Sequence, residues 1–158
     1  MAGQILTEIG NLQNLEYLVL GENNLSGFIP PTIFNISTIR VLNLLGNQLS
    51  GHLPSTIGHS LPNIKYLTLG ANNLFGTIPN SITNASNLIG LDFTSNSFSG
   101  HIPNTFGNLR HLSVLSLMMN NLTTESSSVD RWSFLSSFTL LYLYFQLNNC
   151  NICGKTNK

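Results

Sequence analysis

Charge is scarce in this sequence. Asp, Glu, Lys and Arg make up 8% of its 158 residues, against about 25% in ordinary soluble proteins. Six Lys plus Arg balance six Asp plus Glu. There is then no basic stripe to neutralise nucleic-acid phosphates and no polybasic patch for an anionic membrane. Cysteine is scarcer still: Cys150 and Cys153 stand together at the end, so no disulfide framework is expected. Met1 to Ile9 has neither a basic n-region nor an apolar h-region and reads as no signal peptide. The longest nearly apolar run, Leu140 to Leu147, falls far short of the ~20 residues of a membrane span. From these residues alone, no export signal and no membrane contact by this segment itself are expected.

Catalytic groups are equally sparse. Asp occurs only at Asp92 and Asp130, and the four His, at 52, 59, 101 and 111, are scattered singly. No Ser, His and acid triad can be picked out, and the C-x-x-C of Cys150 and Cys153 lacks the two further ligands that zinc needs. A buried, hydrophobe-like role suits Cys150 better than a redox pair, because the βαβ context of a redox pair is missing. The expectation is a non-enzyme without cofactor or metal.

What is present is apolar residues at 42%, mean hydropathy of +0.16, and an unusual load of neutral polar groups. The apolar share is enough for a core. Asn at 22, Ser at 18 and Thr at 13 together make a third of the chain and supply its solubility. So much Asn needs a structural cause.

That cause is a repeat. Aligned on L-x-L-x-x-N, the chain shows Leu18-Val-Leu20-Gly-Glu-Asn23, then Leu42 to Asn47, Leu67 to Asn72, Leu91 to Asn96 and Leu115 to Asn120. A degraded sixth copy is Leu143 to Asn148. The Asn recur at intervals of 24, 25, 24, 24 and 28 residues. In the same phase lie Gly27, Gly51, Gly76 and Gly100, and then Pro30, Pro54, Pro79 and Pro103, each Pro preceded by Ile or Leu.

This pattern resembles the plant extracellular type of leucine-rich repeat, most fully in Asn23-Asn-Leu-Ser-Gly-Phe-Ile-Pro30 and Asn96-Ser-Phe-Ser-Gly-His-Ile-Pro103. The resemblance runs from Gly3 to Asn148. It implies an α/β solenoid: a right-handed arc of about five to six 24-residue coils with a parallel sheet on its concave face. Coils are placed near 12–35, 36–60, 61–84, 85–108 and 109–139, with a partial coil at 140–149 and an irregular tail at 150–158. Strands are expected over 17–19, 41–43, 66–68, 90–92 and 114–116, with a weaker sixth at 142–144. The leucines of each L-x-L point to one side of the strand. The core should therefore hold Leu18, Leu20, Leu42, Leu44, Leu67, Leu69, Leu91, Phe93, Leu115 and Leu117. The Asn carboxamide, with both donors and an acceptor, should satisfy buried backbone in its own coil and the next. The phased Gly allows a sharp turn, and Ile-Pro an extended segment.

Between Asn120 and Asn148 the Gly and Pro vanish. Trp132, Phe134, Leu135 and Phe138 there have the spacing of one helical face, which suits a helix on the convex side. The Trp132-Ser-Phe134 element is similar to an insert of plant immune-type receptor kinases. The same resemblance implies a cell-surface receptor-like kinase, with this chain a fragment of its extracellular part. No Gly-rich phosphate loop or catalytic Asp motif occurs here, so a kinase would belong to a longer relative. Without end caps the terminal coils should expose apolar edges and favour self-association.

Function then rests on the concave face. Flanking the core leucines, one row of outward residues is Tyr17, Val41, Tyr66, Gly90, Val114 and Tyr142. The next is Val19, Asn43, Thr68, Asp92, Ser116 and Tyr144, and a third runs Gly21, Leu45, Gly70, Thr94, Met118 and Gln146. Tyr17, Val19, Val41, Asn43, Tyr66, Thr68, Asp92, Thr94, Ser116 and Met118 are the candidate ligand contacts. A mixed apolar and hydroxylic face suits an extended peptide or protein partner, with a co-receptor as a second partner. The alternatives are an enzyme inhibitor similar to polygalacturonase inhibitors, and a truncated gene product without function. Asn24, Asn35, Asn84 and Asn121 are N-x-S/T sequons expected on turns, but composition alone generates that many. His52 and His101 share one phase, expected on an exposed edge.

Overall fold

The computed structural model describes residues 3–123 and 140–142. Each of the first five coils contributes two strands, and Leu140–Tyr142 adds one more to the first sheet. The first of each pair builds a six-stranded parallel sheet from β1 (Tyr17–Val19), β3 (Val41–Asn43), β5 (Tyr66–Thr68), β7 (Gly90–Asp92), β9 (Val114–Ser116) and β11 (Leu140–Tyr142). This sheet is the concave face. The second of each pair builds a five-stranded parallel sheet from β2 (Ser26–Phe28), β4 (Gln48–Gly51), β6 (Asn73–Thr77), β8 (Ser97–His101) and β10 (Asn121–Thr123). Short 3-10 turns at Thr7–Asn11, Pro31–Asn35, Asn80–Asn84 and Asn104–Asn108, and one α-helical turn at Ile57–Ser60, close the coils.

The first five concave strands fall on the expected residues, paired in phase: Leu18 with Leu42, Leu42 with Leu67, Leu67 with Leu91, Leu91 with Leu115. The sixth does not. Leu140, Leu141 and Tyr142 pair with Val114, Leu115 and Ser116, so the strand lies two residues earlier than 142–144, and Tyr142 aligns with the second row, not the first. Alternation of period two reads equally well in either register, and only the Asn148 anchor argued for the later one. Tyr144, Gln146, the Trp132 to Phe138 segment and Cys150 lie outside the described residues.

The second sheet is an addition to the expected fold, since only an extended segment was anticipated there. Its inward residues Leu49, Leu74 and Phe98 are buried, as are Ile33, Ile57, Ile82 and Phe106 from the convex turns. Nine of the ten expected concave core residues are buried; Leu20 is only partly so, because no coil covers it on the outer side of β1. Nearby, Leu6 and Leu12 are 69% and 53% exposed.

Each phased Pro ends the extended segment and starts the convex turn. The carbonyls of Pro30, Pro54, Pro79 and Pro103 accept from the amides of Ile33, Ile57, Ile82 and Phe106 at 3.0, 3.1, 3.0 and 3.4 Å. Proline suits this position because its fixed φ enters the turn and its missing N–H is not needed there.

The Asn ladder is built as its chemistry requires. Asn72 Oδ1 accepts from Leu49 N at 3.0 Å, and its Nδ2 donates to the carbonyls of Leu44, Leu69 and Gly70 at 2.9, 3.1 and 3.1 Å. Asn47, Asn96 and Asn120 repeat the arrangement one coil apart. Two further side-chain bonds tie the coils ahead of β5 and β7: Asn63 donates to Ser37 O and Asn87 to Pro62 O at 2.9 and 3.0 Å. The residue before each ladder Asn sits in the left-handed region, at φ 58, 67, 50, 53 and 55° for Glu22, Gly46, Ala71, Ser95 and Met119. Only one of the five is the glycine that this conformation favours.

Candidate functional site

The concave sheet brings the predicted rows together. Tyr17, Val41, Tyr66, Gly90 and Val114 align coil to coil, as do Val19, Asn43, Thr68, Asp92 and Ser116. Backbone groups pair along the sheet, so the face offers side chains to a partner and keeps its amides to itself. Tyr17 and Val19 are each 61% exposed and Tyr66 is 44% exposed, an apolar and phenolic surface concentrated on the first three coils.

Other members of the candidate set are less available. Asp92 and Asn43, equivalent positions two coils apart, each turn a side-chain oxygen back on the chain. Asn43 Oδ1 accepts from Leu45 N at 3.0 Å and Asp92 Oδ1 from Thr94 N at 2.9 Å. Both therefore shape the turn that leaves the strand, and each is half-buried. Ser116 is buried, its hydroxyl 2.5 Å from Thr94 Oγ1. Ser116 thus departs from the exposed position expected of it. Val41, Thr68 and Met118 are half-buried.

Glycines shape this face in a way the sequence reading missed. A Cβ at Gly70 would stand 3.1 Å from Leu45 Cδ1 and 3.2 Å from Asp92 Oδ1, so these two side chains converge over it. The ring of Tyr66 similarly overlies Gly90. The only sequence signal was the lack of a side chain in those columns. Along one border of the sheet, Arg40 Nε lies 3.2 Å from Glu16 Oε2, an exposed ion pair beside Tyr17 and Val41 that was also not among the candidates.

The four sequon asparagines are all exposed, but not all on turns. Asn35 and Asn84 close 3-10 turns, Asn24 precedes β2 at φ 52°, and Asn121 opens β10. Asn121 is drawn into a strand because the second sheet, unanticipated from sequence, continues through it. His52 and His101 are both exposed, as their shared phase suggested. His101 ends β8, and His52 follows β4 on the outward face of the second sheet. Among the described residues no three His, Cys, Asp or Glu side chains gather to hold a metal, and no helix is long and apolar enough to cross a membrane.

The model of the Leucine Rich Repeat family matches residues 14–36, 38–60, 63–85 and 87–109. No curated protein sequence matches the chain significantly. Among solved structures, the plant peptide hormone receptor RGFR1 in complex with RGF2 is 34% identical, with a TM-score of 0.83 over 92% of this chain and 23% of that one. The Arabidopsis receptor kinase HAESA, in complex with the peptide hormone IDA and the co-receptor SERK1, is 38% identical, with a TM-score of 0.74 over 77% of this chain and 20% of that one. A chain of the BIR3–SERK2 complex from Arabidopsis thaliana is 34% identical, with a TM-score of 0.68 over 85% of this chain and 72% of that one. The chain thus spans about a quarter of the hormone receptor and most of the shorter ectodomain.

Proposed function

From the premise that the chain belongs to the leucine-rich repeat family and has the fold of plant receptor-kinase ectodomains, we propose that it is a recognition module whose concave sheet binds an extended peptide or a protein surface. The observation that carries this reading is the exposed run of Tyr17, Val19 and Tyr66 on a sheet whose backbone is already paired. Tyrosines supply large contact area with few rotatable bonds and a hydroxyl for orientation, the profile of interface anchors. Asp92 adds a single carboxylate at the far end of the face, with one oxygen committed to Thr94. A peptide laid across the strands would thus place apolar side chains over the first three coils and a donor group near Asp92. The similar receptors RGFR1 and HAESA hold peptide hormones, and HAESA also a co-receptor, which supports the same two classes of partner here.

Under this reading the segment serves on the extracellular side of the plasma membrane, in a receptor of the immune type, with sugars on some of Asn24, Asn35, Asn84 and Asn121. The test is a selection of random linear peptides displayed on phage against the immobilised chain. Enriched peptides should lose at least about tenfold in affinity on Tyr17→Ala with Tyr66→Ala. They should keep it on Asn80→Ala with Asn104→Ala on the convex side. Retention in the first variant, or loss in the second, would move the site elsewhere.

A further inference from the structure

The five strands of the second sheet contain no Lys, Arg, Asp or Glu. Their outward positions carry Asn, Gln, Ser and Thr together with the rings of Phe28, Phe75 and His101; His52 directly follows β4, so Phe28, His52 and Phe75 stand on three successive coils. Phe28 is 71% and Phe75 41% exposed, large values for aromatic rings with an apolar core beneath them. Two of these rings are seated on glycine backbone. A Cβ at Gly51 would stand 2.8 Å from Phe28 Cδ1, and one at Gly76 would collide with His52 Nδ1. Phe28 and His52 therefore rest against the bare backbone of the next coil. His52 and Phe75 meet edge to face, with centroids 4.2 Å apart and planes at 67°. The phased glycines thus serve two ends: they take positive φ, at 101° and 87°, and they seat the preceding ring.

We propose that the Phe28–His52–Phe75 row is a binding platform for a neutral linear oligosaccharide. The negative faces of aromatic rings attract polarised C–H groups, and a pyranose ring presents such groups on its flat side. Around the rings, Gln48, Ser50 and Asn73 provide amides and hydroxyls that both donate and accept, which is what sugar hydroxyls require. The lack of formal charge gives a polyanion or a polycation nothing to pair with. Strand addition by a peptide is closed at β4, β6 and β8, since both their edges are already paired. A protein partner would need about 800 Å² and anchors entering holes, whereas exposed rings offer stacking faces. This platform uses a different sheet from the concave site and stands or falls separately from it.

The test titrates the full chain with cellohexaose, a neutral β-linked glucose hexamer, and with hexagalacturonic acid, its anionic counterpart in length, by calorimetry. Cellohexaose should bind saturably and independently of salt. Phe28→Ala with Phe75→Ala should weaken it about tenfold or more. Phe28→Tyr with Phe75→Tyr, which keeps the rings and the fold, should retain it, as should the concave pair Tyr17→Ala with Tyr66→Ala, within about twofold. Saturation absent in the parent chain, binding undiminished in the double alanine variant while circular dichroism shows it folded, or tighter binding of the anionic hexamer would each overturn the proposal. A self-association that the double alanine variant abolishes would also overturn it, by assigning the row to a second copy of the chain.

Discussion

The ring of Tyr66 lies across Gly90 of the next coil, so close that a Cβ there would stand 2.8 Å from its Cδ1. The glycine is buried beneath the tyrosine, and the absence of a side chain at 90 sets where a concave-face anchor points. Gly90→Ala is expected to swing the ring off its seat at little cost in stability, under about 1 kcal/mol, because the group that must move is the end of a side chain. The Tyr66 ring resonances should shift by NMR while the urea midpoint scarcely changes. Unmoved ring resonances would show that Gly90 does not position Tyr66.

The ladder amides should differ sharply by place. Asn72→Ala strands the buried amide of Leu49, while the carbonyls of Leu44, Leu69 and Gly70 keep a second donor in Asn47, Asn96 and Gly46 N, so the loss should be about 2 kcal/mol. Asn23 is exposed, and its carboxamide donates only to Gly21 O, so Asn23→Ala should cost under about 1 kcal/mol. Denaturant melts of the two variants give the comparison; equal losses would mean that the amides act through something other than buried backbone.

Ala71 is exposed and sits at φ 50°, in the column where only Gly46 has the favoured residue type. Left-handed backbone costs an L residue roughly 1–2 kcal/mol, and glycine forfeits about 0.4–1 kcal/mol through the unfolded chain. Ala71→Gly should therefore stabilise by about 0.5 kcal/mol, read as a higher urea midpoint with an unchanged slope. A lower midpoint would show that the turn stores no strain there.

At Gly58 the sign reverses. A Cβ there would run into the carbonyl of Ser81 on the next convex turn, and that atom is backbone, unable to rotate away. Gly58→Ala should cost about 2 kcal/mol or more by forcing two coils apart. Stability within about 0.5 kcal/mol of the parent would mean that the coils slide freely past each other.

Much of this was legible along the chain because each coil solves the same local problem. Leucines two apart, an amide three further on and a proline after the glycine identify strand, turn and convex entry, and the buried Leu67, Leu69 and Asn72 occupy the places their phase assigns. Exposed Tyr17, Val19 and Tyr66 followed from the same alternation. The second sheet did not, since its strands are rich in Ser, Gly and Asn and have little intrinsic preference for extension. They pair because the first sheet and the convex turns already bring each coil to strand spacing, leaving backbone groups opposite one another. The sixth strand shows the same limit, as period-two alternation is blind to a shift of two residues. So the amino-acid order by itself determined the coil, its inward and outward residues and its hydrogen-bonding amides, all of which are local. Stacking alone decided that Tyr66 covers Gly90, that Phe28 and His52 rest on Gly51 and Gly76, and that Ser116 is closed off. Those contacts join residues of neighbouring coils, and their geometry exists only once the coils are packed at a common rise.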